Sequence, residues 1–240
     1  MSFKLASVVL PVYNQADHIE NVLTDYLEAV GRLDFATEIL PVINGPRRDK
    51  SLEICQALEH QHKNNQHRMR TLCIDQGGWG RAVRHGLAHA SGDLICYTNS
   101  ARTTARDLVL MLLYGSVHHD CVVKANRKIR ESWKRRLGSL LYNLECRYLF
   151  DLAYWDINGT PKVFPRSFKP LMNLQENGDL IDLEFNAICR RLDYQVLEVP
   201  IFSKTRHSGK STTNWRSAYR MYSGAYKLKQ KMSEAGMNTE

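Results

Sequence analysis

The sequence predicts an α/β fold built on a parallel sheet, and three observations carry that prediction. Short apolar runs of strand length alternate with longer stretches whose apolar residues recur at helical spacing. The junctions between them hold small, polar or glycine residues, the turn chemistry of strand-to-helix connections. With 240 residues, the chain is long enough to cover both faces of a sheet without disulfide or metal support.

Taken in order, Ser7 to Pro11 is the first strand, and Asn14-Gln15-Ala16-Asp17 leads into a helix with apolar positions Ile19, Val22, Leu23, Tyr26, Leu27 and Val30. Thr37 to Ile43 is the second strand, closed by the turn Asn44-Gly45-Pro46 before a helix from Asp49 to His62. Arg70 to Asp75 is a third strand, and Gly77-Gly78-Trp79-Gly80 opens a helix running to Ala90. Asp93 to Thr98 is the fourth, followed by a polar turn and a helix from about Ala105. This alternation implies right-handed βαβ units. After a strand at Cys121 to Ala125 the regularity breaks down. A long amphipathic helix, Trp133 to Leu152, precedes a strand at Thr160 to Phe164, a helix from Leu180 to Leu192 and a strand from Gln195 to Ile201.

No internal repeat or low-complexity linker divides the chain, so residues 1–212 form one domain and 213–240 a basic, aromatic helical tail. Two placements are open for that tail: on a membrane surface, or packed on the domain. The apolar N-terminal stretch reads as a strand rather than a signal peptide. The densest later apolar run, Leu108 to Tyr114, is far shorter than the roughly 20 residues needed to span a bilayer. Six cysteines without a Cys-x-x-Cys pair point to reduced thiols of a cytoplasmic protein.

The net charge is +8, and all of the excess lies between Ser203 and Met232, where eight cations meet no acid. A second basic cluster surrounds Arg127 and Arg136. Phosphate-bearing partners suit such charge. Nucleic acid is not expected, because no nucleic-acid-binding motif accompanies the cations.

Six motifs then occur in a fixed order: Val9-Leu10-Pro11-Val12-Tyr13-Asn14; Glu38 to Gly45; Gly78-x-Gly80-x-Ala82 with Gly86; Ala90-Ser91-Gly92-Asp93; Asp156 with Gly159 and Lys162-Val163-Phe164; and Asp182-x-Glu184, Glu198-Val199-Pro200, then Arg206 with Gly209-Lys210-Ser211. In this order they resemble family 2 glycosyltransferases, especially the branch of dolichyl- and undecaprenyl-phosphate sugar synthases. The resemblance implies a GT-A (Rossmann-like) three-layer sandwich with a mostly parallel central sheet. It also implies inverting transfer of a sugar from a UDP- or GDP-sugar donor.

Carried over residue by residue, Pro11, Tyr13 and Asn14 resemble the nucleoside cradle, and Asn44 stands where an acid reads the base or ribose. Gly78 and Gly80 permit close backbone approach, by the donor or through tight packing alone, and Arg84 is expected to point toward the donor. Thr98, Asn99 and Ser100 occupy the turn where the family carries Asp-x-Asp, so the carboxylates that would hold Mg²⁺ or Mn²⁺ are missing. No metal or other cofactor is expected unless acids elsewhere, such as Asp75 or Asp93, rebuild the site. Arg102, next to that turn, is the candidate to stabilise the leaving diphosphate in the cation's place.

Asp156, Asp182 and Glu184 are the candidate bases for a hydroxyl acceptor, with Asp156 first. A polyprenyl phosphate acceptor needs no base but needs positive charge, for which Arg127, Arg136, Arg206 and Lys210 are the candidates. The expected location is then the cytoplasmic face of an anionic membrane. The competing reading is a catalytically inactive module of the same fold that binds a nucleotide or phosphate.

Overall fold

The computed structural model of the chain describes residues 3–62, 66–128, 133–202 and 215–234. Its centre is an eight-stranded sheet. β1 (Leu5–Val12) is flanked in parallel by β2 (Ala36–Asn44) and β5 (Leu94–Tyr97). β3 (His67–Met69) and β4 (Leu72–Ile74) both pair with β2. On the other side, β7 (Lys162–Pro165) runs antiparallel between β5 and β6 (Cys121–Arg127), and β8 (Gln195–Ile201) closes that edge parallel to β6. The order is β3-β2-β1-β5-β7-β6-β8, with β4 continuing the β3 edge.

β1 is central because nearly every residue in it is apolar and can be covered on both sides. Its side chains alternate between two cores. Val8, Leu10 and Val12 meet α1 (Ile19–Val30), α2 (Ser51–Gln61) and α4 (Ala105–Val117). Val9 faces the opposite core, formed with α3 (Trp79–His89), α5 (Trp133–Phe150), α7 (Ile181–Arg191) and α8 (Trp215–Glu234). This is the three-layer arrangement. All six apolar positions expected on the first helix are buried in α1. Thr104 caps α4, its side-chain oxygen accepting from the Asp107 amide at 3.1 Å.

Two departures from the sequence reading have physical reasons. The expected strand from Arg70 to Asp75 is the shorter β4, and a separate strand that was not expected, β3, precedes it on the same edge. Thr37 donates toward β3, to Gln66 O, whereas Ala36 donates toward β1, to Lys4 O. The same alternation places position 41 on the β3 side, and Pro41 has no N–H to give, so the ladder breaks there. The short α6 (Lys169–Met172) was not expected, since four residues carry no periodicity.

The described part of the basic tail packs on the domain. Ala225, Leu228 and Met232 of α8 are buried, Tyr222 donates to Gly138 O of α5 at 2.9 Å, and Gly224 meets the Leu180 side chain. Among the described residues no helix is long and apolar enough to cross a membrane.

Gly86 fixes the distance between α3 and β1, because a Cβ there would fall inside the methyl groups of Val9. Gly86→Ala is therefore expected to lower stability by about 1–3 kcal/mol in urea denaturation. Gly138→Ala, where a Cβ meets nothing within 4 Å, should raise it by about 0.5–1 kcal/mol. Equal effects at both positions would refute this account of the α3–β1 packing.

Candidate active site

In an open parallel sheet the carboxyl ends of the strands form the ligand edge. Here that edge collects the ends of β1, β2, β4, β5 and β6 and the start of the antiparallel β7. Buried Pro11 precedes exposed Tyr13, and Asn14 takes a left-handed φ of 49°. The Tyr13 ring lies across Gly45, whose own φ is 78°. Asn44 uses both ends of its amide: Nδ2 donates to Val12 O at 2.9 Å, and Oδ1 accepts from the Gly78 amide at 3.2 Å. One side chain thus joins β1, β2 and the glycine turn.

That glycine turn also receives the chain's own loop. A Cβ on Gly80 would fall on the carbonyl oxygen of Glu176, and the Arg81 amide donates to Asn177 O at 3.1 Å. Arg84, expected to point toward a donor, donates to Gln175 O at 3.1 Å and to Asn177 Oδ1 at 2.6 Å. From the other side Glu184 accepts the amides of Gln175 and Glu176 at 2.7 and 2.8 Å. Burial drives the Glu184 carboxyl above the ordinary range, against the pull of those two amides.

The turn after β5 is knitted into the protein. Thr98 and Thr103 share a hydroxyl hydrogen bond of 2.7 Å, Asn99 Oδ1 accepts the Ala101 amide at 2.9 Å, and the Ser100 hydroxyl donates to Gln15 Oε1 at 2.5 Å. Arg102 follows, half-buried. A hard divalent cation calls for several oxygen ligands including carboxylate, and the Asn99 and Ser100 side chains are neutral and already engaged. Among the described residues no three His, Cys, Asp or Glu side chains come together as a metal cluster. Asp93 is not an alternative. It accepts the amides of Lys4 and Leu5 at the start of β1, at the opposite end of the sheet. Asp75 does lie at the ligand edge, exposed and 3.8 Å from Arg47. These residues do not fit the metal that the fold family implies.

The far wall is a buried network of charges. Arg127 holds both carboxylate oxygens of buried Asp156, through Nε at 2.8 Å and Nη2 at 2.7 Å, and its amide adds a bond of 2.9 Å. Asp182 accepts from Lys162 Nζ, from the Tyr97 hydroxyl at 2.9 Å and from Trp79 Nε1 at 3.2 Å. Lys124 donates to Trp155 O and to Glu198 Oε1, the latter at 2.8 Å. Burial pushes both lysines below their ordinary range, while Glu198 beside Lys124 and Asp182 beside Lys162 pull back toward the charged form. Burial and the Asp182 charge raise the Tyr97 hydroxyl well above its usual range, so it remains a neutral donor.

The structure therefore brings Asp156, Arg127 and Asp182 to one wall, and Asn44 and Gly78 to the facing edge. It assigns Asp156, Asp182 and Glu184 extensive internal bonds. Arg206 and Lys210 lie outside the described residues, and Arg136 lies on α5 among residues whose side chains are not described. Lys124, Lys162 and Glu198 were not recognised as a network from the sequence. The available signal was a lysine at an inward position of two apolar strands, Val122-Val123-Lys124-Ala125 and Lys162-Val163-Phe164.

The profile of the family described as Glycosyl transferase family 2 matches residues 7–168. A curated relative, undecaprenyl-phosphate 4-deoxy-4-formamido-L-arabinose transferase of Sodalis glossinidius (strain morsitans), is 22% identical over 213 residues, 88% of this chain and 63% of the relative. The chain thus spans less than two thirds of that relative's length. Among solved structures, glucosyl-3-phosphoglycerate synthase from Mycobacterium tuberculosis, in complex with Mn²⁺, UDP-glucose and phosphoglyceric acid, superposes with a TM-score of 0.70 at 14% identity, over 99% of this chain and 82% of that one. Mannosyl-3-phosphoglycerate synthase from Rubrobacter xylanophilus gives 0.64 at 17% identity, over 99% and 76%. At these identities the likeness establishes the fold, GT-A.

Asp182→Asn leaves Lys162 buried without its counter-charge and is expected to cost about 3–5 kcal/mol. Adding Lys162→Met should recover part of that loss, with a coupling of about 1–3 kcal/mol in a double-mutant cycle read by urea denaturation. Strictly additive losses would show that the two side chains do not act as a pair.

Proposed function

Because this chain belongs to glycosyl transferase family 2, we propose that it transfers a sugar from a UDP- or GDP-sugar, with inversion, to a polyprenyl phosphate at the cytoplasmic face of a membrane. The observation that carries the acceptor reading is the engagement of the three candidate bases. Asp156 is held by Arg127, Asp182 by Lys162, Tyr97 and Trp79, and Glu184 by two backbone amides. A hydroxyl acceptor needs a carboxylate able to take its proton. An ionised phosphate attacks the anomeric carbon without one, so these acids are left to position the wall. The relative whose name carries undecaprenyl phosphate supports the same acceptor class.

The donor occupies the edge between Tyr13, Asn44 and the 98–100 turn. Inversion follows from a single displacement, the acceptor phosphate on one face and the diphosphate leaving from the other. Charge accumulates on that diphosphate, and neutral Asn99 and Ser100 supply little to balance it. Arg102 is the proposed balance, a planar guanidinium able to fork onto phosphate oxygens. Arg136, Arg206 and Lys210 are proposed to receive the acceptor phosphate, and Arg127, held by Asp156, is proposed to add its charge to theirs.

Calorimetric titration with a panel of UDP- and GDP-sugars should give micromolar binding that survives EDTA. Arg102→Ala should lower transfer about 10- to 100-fold, the worth of one charge-assisted hydrogen bond of about 1.5–3 kcal/mol. Binding only with added Mn²⁺ would remove the arginine mechanism. Binding without transfer to any prenyl phosphate would favour a non-catalytic module.

A further inference from the structure

α4 has two apolar faces. Leu108, Met111, Leu112 and Gly115 are buried toward α1 and the sheet, and a Cβ on Gly115 would fall on the Val163 side chain. On the outer side Leu110, Leu113, Tyr114 and Val117 are 36, 42, 40 and 70% exposed. With exposed Arg106 they recur at the spacing of one helix face. Single exposed leucines are ordinary, but four apolar side chains in one row on a helix already packed on its inner side form a patch.

The charges at the two ends of that row oppose the dipole of their own helix. Arg106 is in the first turn, where an α-helix carries partial positive charge, and the acid of that turn, Asp107, is buried. Asp120 is exposed just past the C-cap His118, where the helix carries partial negative charge, and the last turn holds no basic residue. Arg106 and Asp120 each lie seven residues from Leu113, one before it and one after. If two α4 helices pair antiparallel about a two-fold axis at Leu113, each Arg106 arrives at the C-terminal end of the other helix, beside Asp120 of the second copy. Each Asp120 likewise arrives at an N-terminal end. Charges unfavourable for one helix thus become favourable for two, in one relative orientation.

Between those ends, residues 108–119 include no Asp, Glu, Lys or Arg, so the row does not repel a copy of itself. One cation and one acid sum to zero on this face, which gives an anionic surface nothing to attract. A second copy of the chain matches both the apolar row and the order of the charges.

We propose that two copies of the chain pair through α4, antiparallel about Leu113, with Leu110, Leu113, Tyr114 and Val117 in the seam and Arg106 against Asp120 at each end. The apolar seam supplies the affinity, and the two ion pairs, exposed and individually weak, select the orientation. α4 is about 20 Å long, so the seam is smaller than a standard interface and the pairing is reversible. α4 starts from the turn at the ligand edge, so antiparallel pairing points the two edges in opposite directions and each copy keeps its own site. The inference does not depend on which acceptor that site takes.

Sedimentation equilibrium of the full chain tests this. The wild type should dimerise with a dissociation constant of about 10–100 µM. Leu113→Asp, which sets two carboxylates against each other at the axis, should weaken pairing about 30-fold or more, and the milder Val117→Ser about threefold, both with the far-UV circular dichroism of the wild type. Arg106→Asp and Asp120→Arg should each weaken it about tenfold, and the two together should restore it to within about threefold of the wild type. Leu141→Asp with Leu144→Asp, on the exposed leucines of α5, should pair as the wild type does. A wild type still monomeric at about 500 µM would overturn the proposal, as would a dimer that survives Leu113→Asp. Failure of the charge exchange to restore pairing would overturn its antiparallel form. A monomer that binds phosphatidylcholine vesicles and loses that binding in Leu113→Asp would make lipid the occupant and overturn it as well.

Discussion

Four side chains in one cross-strand row constrain the far half of this protein. Tyr97, Lys162, Lys124 and Glu198 are register partners across β5, β7, β6 and β8. The two lysines are completely buried, and a buried ammonium persists only with a counter-charge and satisfied donors. Asp182 answers one and Glu198 the other. Because Asp182 also accepts from Trp79, the same requirement fixes the start of α7 against the start of α3. Because Glu198 also accepts the Trp155 amide, it holds the segment that leads to Asp156. The geometry of the candidate active site thus follows from removing two cations from water.

Much of the first half was legible because there the sequence obeys simple periods. β1, β2 and β5 are short apolar runs, α1 repeats its apolar positions at helical spacing, and the turns after β1 and β2 carry Asn and Gly. In such segments local preference and tertiary demand agree. The break between β3 and β4 was less visible because its cause, Pro41, sits on a different strand from the one it interrupts.

The site was legible as a set of positions more than as a set of roles. Asn44 does hydrogen-bond at the ligand edge, yet its amide is spent joining Val12 to Gly78. Gly80 does permit a close backbone approach, and the backbone that arrives is that of Glu176. A motif in sequence marks where chemistry is concentrated. It does not say whether a side chain faces a ligand or a neighbour some 90 residues away, because that depends on long-range pairings with no local signature. The Arg84–Asn177 and Trp79–Asp182 contacts are of this kind.

The place of β7 has a kinetic consequence. It lies between β5 and β6, although both precede it in the chain. As these strands emerge in order, β6 cannot dock directly against β5 without occupying the slot that residues 162–165 must fill. The early strands can assemble from neighbouring segments, but the second half of the sheet has to wait for a non-local insertion, a step whose loop-closure entropy slows folding. Lys124 keeps its hydration until that insertion brings its neighbours into register. The buried charges therefore join the fold late, and desolvation falls on a sheet whose first half is already formed.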